Sequence, residues 1–178
     1  MDESPVGRLV SRLAAAVAIL GGVALVAITA ITVVSVIGRA FIPLGGGAVP
    51  GDFELVQAGM LFAVFTFLPW CHLERGHAIV AIVTDQFPRR FSAFAEFIWD
   101  LVMLVAAVFV TWRLWAGLAD KYGNGESTFI LRMPLWMVYS AGLFGAVIFV
   151  ITAAYCVARS AANAFSATPI RPISGAGE

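Results

Sequence analysis

The chain has 178 residues, of which 61% are hydrophobic and 12% are charged, and its formal net charge at pH 7 is zero. An average soluble domain has about 25% charged residues, so most of the surface of this chain must face lipid instead of water. With no net charge and no lysine- or arginine-rich tract, the chain offers no electrostatic field for a nucleic acid. Composition therefore indicates an integral membrane protein and excludes nucleic-acid binding.

The first apolar segment follows a polar N-terminus, residues 1–12, which contains Arg8 and Arg12. Residues 13–37 carry no charge and exceed the ~20 helical residues that cross a bilayer core about 30 Å thick. The run is also longer than the ~7–15 apolar residues of a cleaved signal peptide. We therefore expect a retained first transmembrane helix.

A loop and a second span come next. Residues 39–52 contain Pro43, three consecutive glycines and a Pro-Gly pair, which oppose regular structure, and Asp52 is a plausible helix cap. The second span is predicted over residues 53–71. The apolar segment 78–83 is too short to cross a bilayer, and it is predicted to be interfacial or re-entrant.

The third and fourth spans need charged or irregular ends. The uncharged stretch 101–112 is too short to cross, so we expect a helix over residues 94–118 with Arg113 near one headgroup layer. Pro134 suits the first turn of a fourth helix that runs to about residue 157. The fold predicted is all-α, with four transmembrane helices in a membrane domain over residues 13–165 and a disordered tail over 166–178.

Positive charges indicate the orientation. One side of the predicted topology, which includes both termini, has seven of the Lys and Arg residues, and the other side has four. Because cytoplasmic loops carry the excess of positive charge, both termini are predicted to be cytoplasmic. The tryptophans are expected near the span ends, as in aromatic belts: Trp70 and Trp99 on the cytoplasmic side, and Trp112, Trp115 and Trp136 on the other.

The two histidines are candidate cofactor ligands, because imidazole binds haem and metals near neutral pH. His72 and His77 are five residues apart, about 140° on a helix, and both fall in the predicted connection after span two. Ligation of haem by two histidines needs them on facing helices, so a haem site is disfavoured. For His77 we expect a structural role as a hydrogen-bonding group.

Two acidic residues open span three. Glu96 and Asp100 are four apart and share a helical face. They indicate either a cation or proton path, or an interfacial pair neutralised by Arg89 or Arg90. The second interpretation is favoured, because one acidic pair without intramembrane partners is a poor proton relay.

The remaining charged candidates flank the first loop. Arg39 and Glu54 stand at the ends of spans one and two, and a structural ion pair between them is expected. The sequence has no Walker lysine loop and no serine-histidine-acid set, and Cys71 and Cys156 do not form a C-x-x-C motif. We expect no catalytic, cofactor-binding or metal-binding residue, which is typical of an accessory or scaffold membrane subunit and not of an enzyme.

Several short motifs stand in a characteristic order along the chain. They are Val34 to Arg39, Asp52-Phe53-Glu54-Leu55-Val56, Arg75-Gly76-His77-Ala78-Ile79-Val80 with Phe87-Pro88 after it, Gly125-Glu126-Ser127-Thr128, and Met133-Pro134-Leu135-Trp136 with Tyr139. Together they resemble one membrane protein family, the small (DctQ-like) subunit of tripartite ATP-independent periplasmic (TRAP) transporters. The resemblance covers roughly residues 10–165 and departs at Ala81, where the family often has an acidic residue shortly after the histidine.

This resemblance implies a bacterial inner-membrane subunit that binds a large multi-span permease subunit. The large subunit would carry the sodium and organic-acid sites, a soluble periplasmic protein would deliver the substrate, and the small subunit would act as a static scaffold. The structural or interface candidates are Arg39, Glu54, Arg75, His77, Glu96, Asp100, Pro134 and Trp136.

Two alternatives belong to other classes of protein. A haem- or quinone-binding anchor of a respiratory enzyme would need histidines on facing spans. A disulfide-forming membrane enzyme would need paired external cysteines, whereas Cys71 and Cys156 are both predicted at cytoplasmic ends.

Overall fold

The computed structural model describes residues 5–74 and 89–165. The helices are α1 (Pro5–Ala40), α2 (Asp52–Leu73), α3 (Arg89–Asn124) and α4 (Leu135–Phe165), and a short 3-10 turn, Ile42–Leu44, follows α1. All four α-helices are long and apolar enough to cross a membrane, which confirms the predicted all-α, four-span fold. The predicted interfacial piece at 78–83 and the predicted disordered tail lie outside the described residues.

Helix α3 extends further than its sequence predicts. The apolar pattern predicted an end at residue 118, whereas α3 continues to Asn124 and stops where Gly125 adopts a left-handed conformation with φ of 63°. A helix ends where its backbone hydrogen bonding is broken, and glycine is the usual residue at such a C-terminal turn. The longer helix continues for eleven residues after Arg113.

The helices pack as a row in the order α1, α2, α4, α3. Helix α2 packs against α1 and α4, α3 packs against α4, and α1 makes only minor contact with α4. In the most apolar 18-residue stretch of α1 and of α3, only 11% of the residues are buried, compared with 33% in that of α4. The outer sides of α1 and α3 therefore present apolar surface to whatever surrounds the row.

The contact stripe of α1 has a seven-residue period. Its buried residues include Gly7, Ala14, Gly21, Ile28 and Ser35, each seven positions after the one before. A period of 3.5 residues per turn keeps one narrow seam facing a neighbour in left-handed helix packing. One side of α1 therefore packs against the other helices of the row, and its remaining sides are exposed.

Small residues bring α2 close to both of its neighbours. A Cβ atom added at Gly21 of α1 would lie 2.1 Å from Thr66 Oγ1, and one added at Gly145 of α4 would lie 2.8 Å from the carbonyl oxygen of Phe65. Pro69 has no N–H to donate to that carbonyl, so Gly145 packs where the α2 backbone lacks its usual i+4 hydrogen bond. Close approach at small residues is the common packing mode of transmembrane helices.

Candidate functional site

A short hairpin, residues 125–134, joins α3 to α4. The N–H of Leu135 donates to the carbonyl of Glu126 at 3.0 Å, and the N–H of Thr128 donates to the carbonyl of Met133 at 2.9 Å. The N–H of Met133 donates in turn to Thr128 Oγ1 at 3.0 Å. These bonds close the base of the hairpin and fix its tip.

The carboxylate of Glu54 holds the hairpin tip against α2. Its Oε1 accepts from the N–H of Ile130 at 2.8 Å, and its Oε2 accepts from the N–H of Leu131 at 2.9 Å. The Leu131 side chain packs on the backbone of Gly51, where an added Cβ would lie 2.4 Å from Leu131 Cγ. Hydrogen bonds to an ionised carboxylate are stronger than neutral ones, so Glu54 is the main tie between α2 and the hairpin.

A second carboxylate, Asp52, joins α1 to the start of α2. Asp52 Oδ2 accepts from the guanidinium of Arg39 and, at 2.5 Å, from the hydroxyl of Ser35, which is fully buried. The N–H of Val49 donates to the Ser35 oxygen at 3.3 Å. Asp52 and Ser35 therefore form a small network that accepts hydrogen bonds from the Arg39 side chain and from the loop backbone at Val49.

The expected pairing of Arg39 with Glu54 was wrong, because Arg39 pairs with Asp52. Successive residues of a helix differ by about 100° in direction, so two residues separated by one position face nearly opposite ways. Asp52 faces α1, and Glu54 faces the hairpin. The two acids lie within three residues in the sequence, and the rotation of α2 about its axis determines that Asp52, and not Glu54, faces Arg39.

Pro134 and Trp136 lie at the end of the hairpin and the start of α4. Pro134 immediately precedes the helix, instead of lying within its first turn, and forms an isolated antiparallel bridge with Ser127. Trp136 lies in the first turn, with its ring edge-on to Tyr122 of α3 at a centroid distance of 6.1 Å. Both residues thus help to fix the junction between α3 and α4.

The opposite end of the row has a buried polar contact between α2 and α3. His72 was expected in a connection, yet it lies in the last turn of α2, which continues past Pro69 to Leu73. Its Nε2 lies 3.8 Å from Asp100 Oδ1, and the two side chains are 2% and 13% exposed. The ring meets Phe149 of α4 edge-on at 5.9 Å. Asp100 thus faces the inside of the row.

The other predicted candidates are described only in part. Arg75 and His77 lie outside the described residues, as do the side chains of Arg89 and Arg90, one of which is expected to neutralise the pair of Glu96 and Asp100. In residues 5–74 and 89–165, no three His, Cys, Asp or Glu side chains are grouped so that they could hold a metal ion. The carboxylates of Asp52 and Glu54 join separate segments of this chain to one another.

Comparison with protein families gives a match over most of the chain. The family model described as "Tripartite ATP-independent periplasmic transporters, DctQ component" matches residues 28–163. The match begins within α1, takes in both carboxylate networks and the hairpin, and ends near the end of α4. No curated protein and no solved structure matched the chain.

Proposed function

The chain belongs to the DctQ component family of tripartite ATP-independent periplasmic transporters, and from this premise we propose that it scaffolds the large permease subunit during sodium-coupled uptake of an organic acid. The family match over residues 28–163 is the observation that carries the proposal. Membership makes the chain a small permease subunit, while the scaffolding role, the coupling ion and the substrate class are inferred.

The arrangement of the helices supports a scaffolding role. A large subunit that moves substrate across the bilayer needs a partner that keeps its own place in the membrane. The row of four helices offers two outer helices with exposed apolar surface, α1 and α3. The carboxylate of Asp52 ties α1 to α2, and that of Glu54 ties the hairpin to α2, so that the helices are held as a unit.

The charges of the described residues support placing the substrate elsewhere. An organic anion that enters a bilayer must exchange its hydration shell for protein donors. The donors near Asp52 and Glu54 are already engaged by those carboxylates, and two carboxylates would repel an anion. We therefore assign substrate and sodium binding to the large subunit, with delivery by a periplasmic substrate-binding protein.

The contacts between the loops bear on topology. Glu54 bonds the hairpin, and Asp52 bonds Ser35 and Arg39 at the end of α1 that leads into the α1–α2 loop, so both loops lie at the same end of the row. With the excess of Lys and Arg on the opposite side, we propose that these loops are periplasmic and that both termini are cytoplasmic in a bacterial inner membrane. Reporter fusions after Gly125 and after Glu178 test this orientation, and a periplasmic C-terminus contradicts it.

Purification with partners tests the function. The tagged chain, expressed with the large permease subunit encoded beside it, is expected to co-purify with that subunit. Vesicles that contain the pair should take up an organic acid only with the substrate-binding protein and an inward sodium gradient. A Soret band without a co-purifying permease would instead show a haem-binding membrane anchor, and the transport assignment would fail.

A further inference from the structure

Arg113 is a charged residue on the exposed side of α3. The side chain is exposed, and it makes no hydrogen bond or ion pair with any residue in the described part of the chain. Exposed apolar side chains surround it on the same helix, including Phe109 at 57%, Val110 at 39% and Trp112 at 61%. A lone guanidinium thus projects from an otherwise apolar surface.

Contacts across the row give the level of Arg113 along α2. Thr111 Oγ1 lies 3.4 Å from the carbonyl oxygen of Ala146 on α4, and the adjacent Gly145 packs on the backbone of Phe65 on α2. Phe65 lies about 20 Å from the first residue of α2 and about 12 Å from the last, at 1.5 Å per residue. Arg113, two residues after Thr111, therefore lies close to the middle of α2.

Helix α2 is itself the length of a bilayer core. Its 22 residues extend about 33 Å, compared with a hydrocarbon thickness of about 30 Å. With the bilayer core placed between the two ends of α2, both headgroup layers lie about 10 Å or more from the backbone of Arg113. An arginine stem of three methylene groups is shorter than that distance, so snorkelling alone does not bring the guanidinium to water.

We propose that the exposed face of α3 around Arg113 is the docking surface for the large permease subunit, which supplies a carboxylate or backbone carbonyls to the guanidinium. This inference rests on the proposed function for the identity of the partner. Ionisable residues inside a membrane pair with one another or with backbone carbonyls, and the described part of this chain offers Arg113 neither. Because the large permease subunit has several spans, it can present such an acceptor at the level of Arg113 within an apolar surface.

The geometry favours α3 over α1 as the docking helix. Both lie at the edges of the row, and both expose apolar side chains. The exposed midsection of α1, around Val26 at 70% exposure, is uncharged and needs no acceptor. Val26 lies at a similar depth, between Gly21 and Ile28, which contact Thr66 and Gly59 of α2. It is therefore a matched control for Arg113.

A photo-crosslinking amino acid placed at position 109, where Phe109 is exposed on the same face and Arg113 stays in place, tests contact in the assembled transporter in native membranes. The expected product is a conjugate of this chain with the large subunit, in a yield several-fold above that from the same group at position 26. Equal yields from the two positions overturn the proposal. So do conjugates formed at position 109 mainly with lipid, or with a second copy of this chain.

Charge substitutions test the acceptor. Arg113→Leu should lower the amount of large subunit recovered with the tagged chain at least about tenfold, because the acceptor on the partner is left buried and unpaired. Arg113→Lys should retain more of it, because the positive charge remains. The amount of each variant in the membrane controls for folding.

The outcomes separate this inference from the proposed function. If the unaltered chain recovers no large subunit, the proposed function fails. If the unaltered chain and Arg113→Leu recover equal amounts, the complex exists and only the docking surface is wrong.

Discussion

The hairpin end of the row and its interior are held together by different interactions. At the hairpin end, two carboxylates collect hydrogen bonds: Asp52 from Ser35 and Arg39, and Glu54 from the N–H groups of the hairpin tip. In the interior, helices approach closely at glycines: Gly21 of α1 meets the Thr66 side chain, and Gly145 of α4 meets the backbone of Phe65.

The difference follows from the solvent at each level. Lipid chains are as apolar as leucine side chains, so burial alone gives little drive for helices to associate, and close packing at small residues takes its place. Near the headgroups, loop backbone N–H groups need partners, and fixed carboxylates provide them. Removing an interior glycine should therefore disturb helix spacing, whereas removing a carboxylate should free a loop.

The largest effect is expected from Gly145→Ala. The added Cβ would lie 2.8 Å from the backbone carbon and oxygen of Phe65, and a backbone cannot rotate away as a side chain can. Helices α2 and α4 must then separate, which should lower the free energy of unfolding by about 3 kcal/mol. Detergent-induced unfolding of the purified chain measures this. Stability equal to that of the unaltered chain would mean that α2 and α4 do not meet at this glycine.

Glu54→Ala tests the carboxylate that holds the hairpin. The N–H groups of Ile130 and Leu131 lose acceptors 2.8 and 2.9 Å away, so their hydrogen exchange should accelerate about tenfold or more. Exchange in the middle of α4 should change little, because the effect is local. Glu54→Gln keeps one acceptor oxygen and should give an intermediate rate. Unchanged exchange at Ile130 and Leu131 in both variants would disprove the role of the carboxylate.

The same two regions show what the sequence can and cannot predict. Hydropathy and length predict all four spans. Placing a charged residue in lipid is costly, so the positions of the charges limit where each span can begin and end. The loop over 39–52 was likewise predictable from its prolines and glycines. These features depend on local composition, and no knowledge of neighbouring helices is needed to find them.

Partners of individual side chains depend on how the helices are rotated and packed. The bonds of Glu54 reach residues 76 and 77 positions away, and only the packing of α4 on α2 brings the hairpin there. The predicted end of α3 is six residues too early, because the apolar stretch ends before the helix does. The sequence predicts His72 in a connection, because the polar residues after Pro69 resemble a helix end.

Gly21 and Gly22 form a matched pair for the interior of the row. An added Cβ at Gly21 would lie 2.1 Å from Thr66 Oγ1, whereas one at Gly22 would meet nothing within 4 Å. Gly21→Ala should cost about 1 kcal/mol, less than Gly145→Ala, because the Thr66 side chain can adjust. Gly22→Ala should be neutral or stabilising by up to about 1 kcal/mol from helix propensity. Equal effects on unfolding would show that α1 does not meet α2 through Gly21.

The smallest effect is expected from Arg39→Gln at the hairpin end. The Arg39 side chain is 54% exposed, and an ion pair in water contributes little because solvent and salt screen it. Asp52 would keep its bonds from the Ser35 hydroxyl and the N–H of Phe53.

Asp52→Ala should be more damaging, since it leaves the fully buried Ser35 hydroxyl without this acceptor. Melting temperatures measured at low and high salt separate the two contributions: the Arg39→Gln difference should shrink with salt, and the Asp52→Ala difference should persist. A larger loss from Arg39→Gln than from Asp52→Ala would mean that the guanidinium, and not the buried hydroxyl, joins α1 to α2.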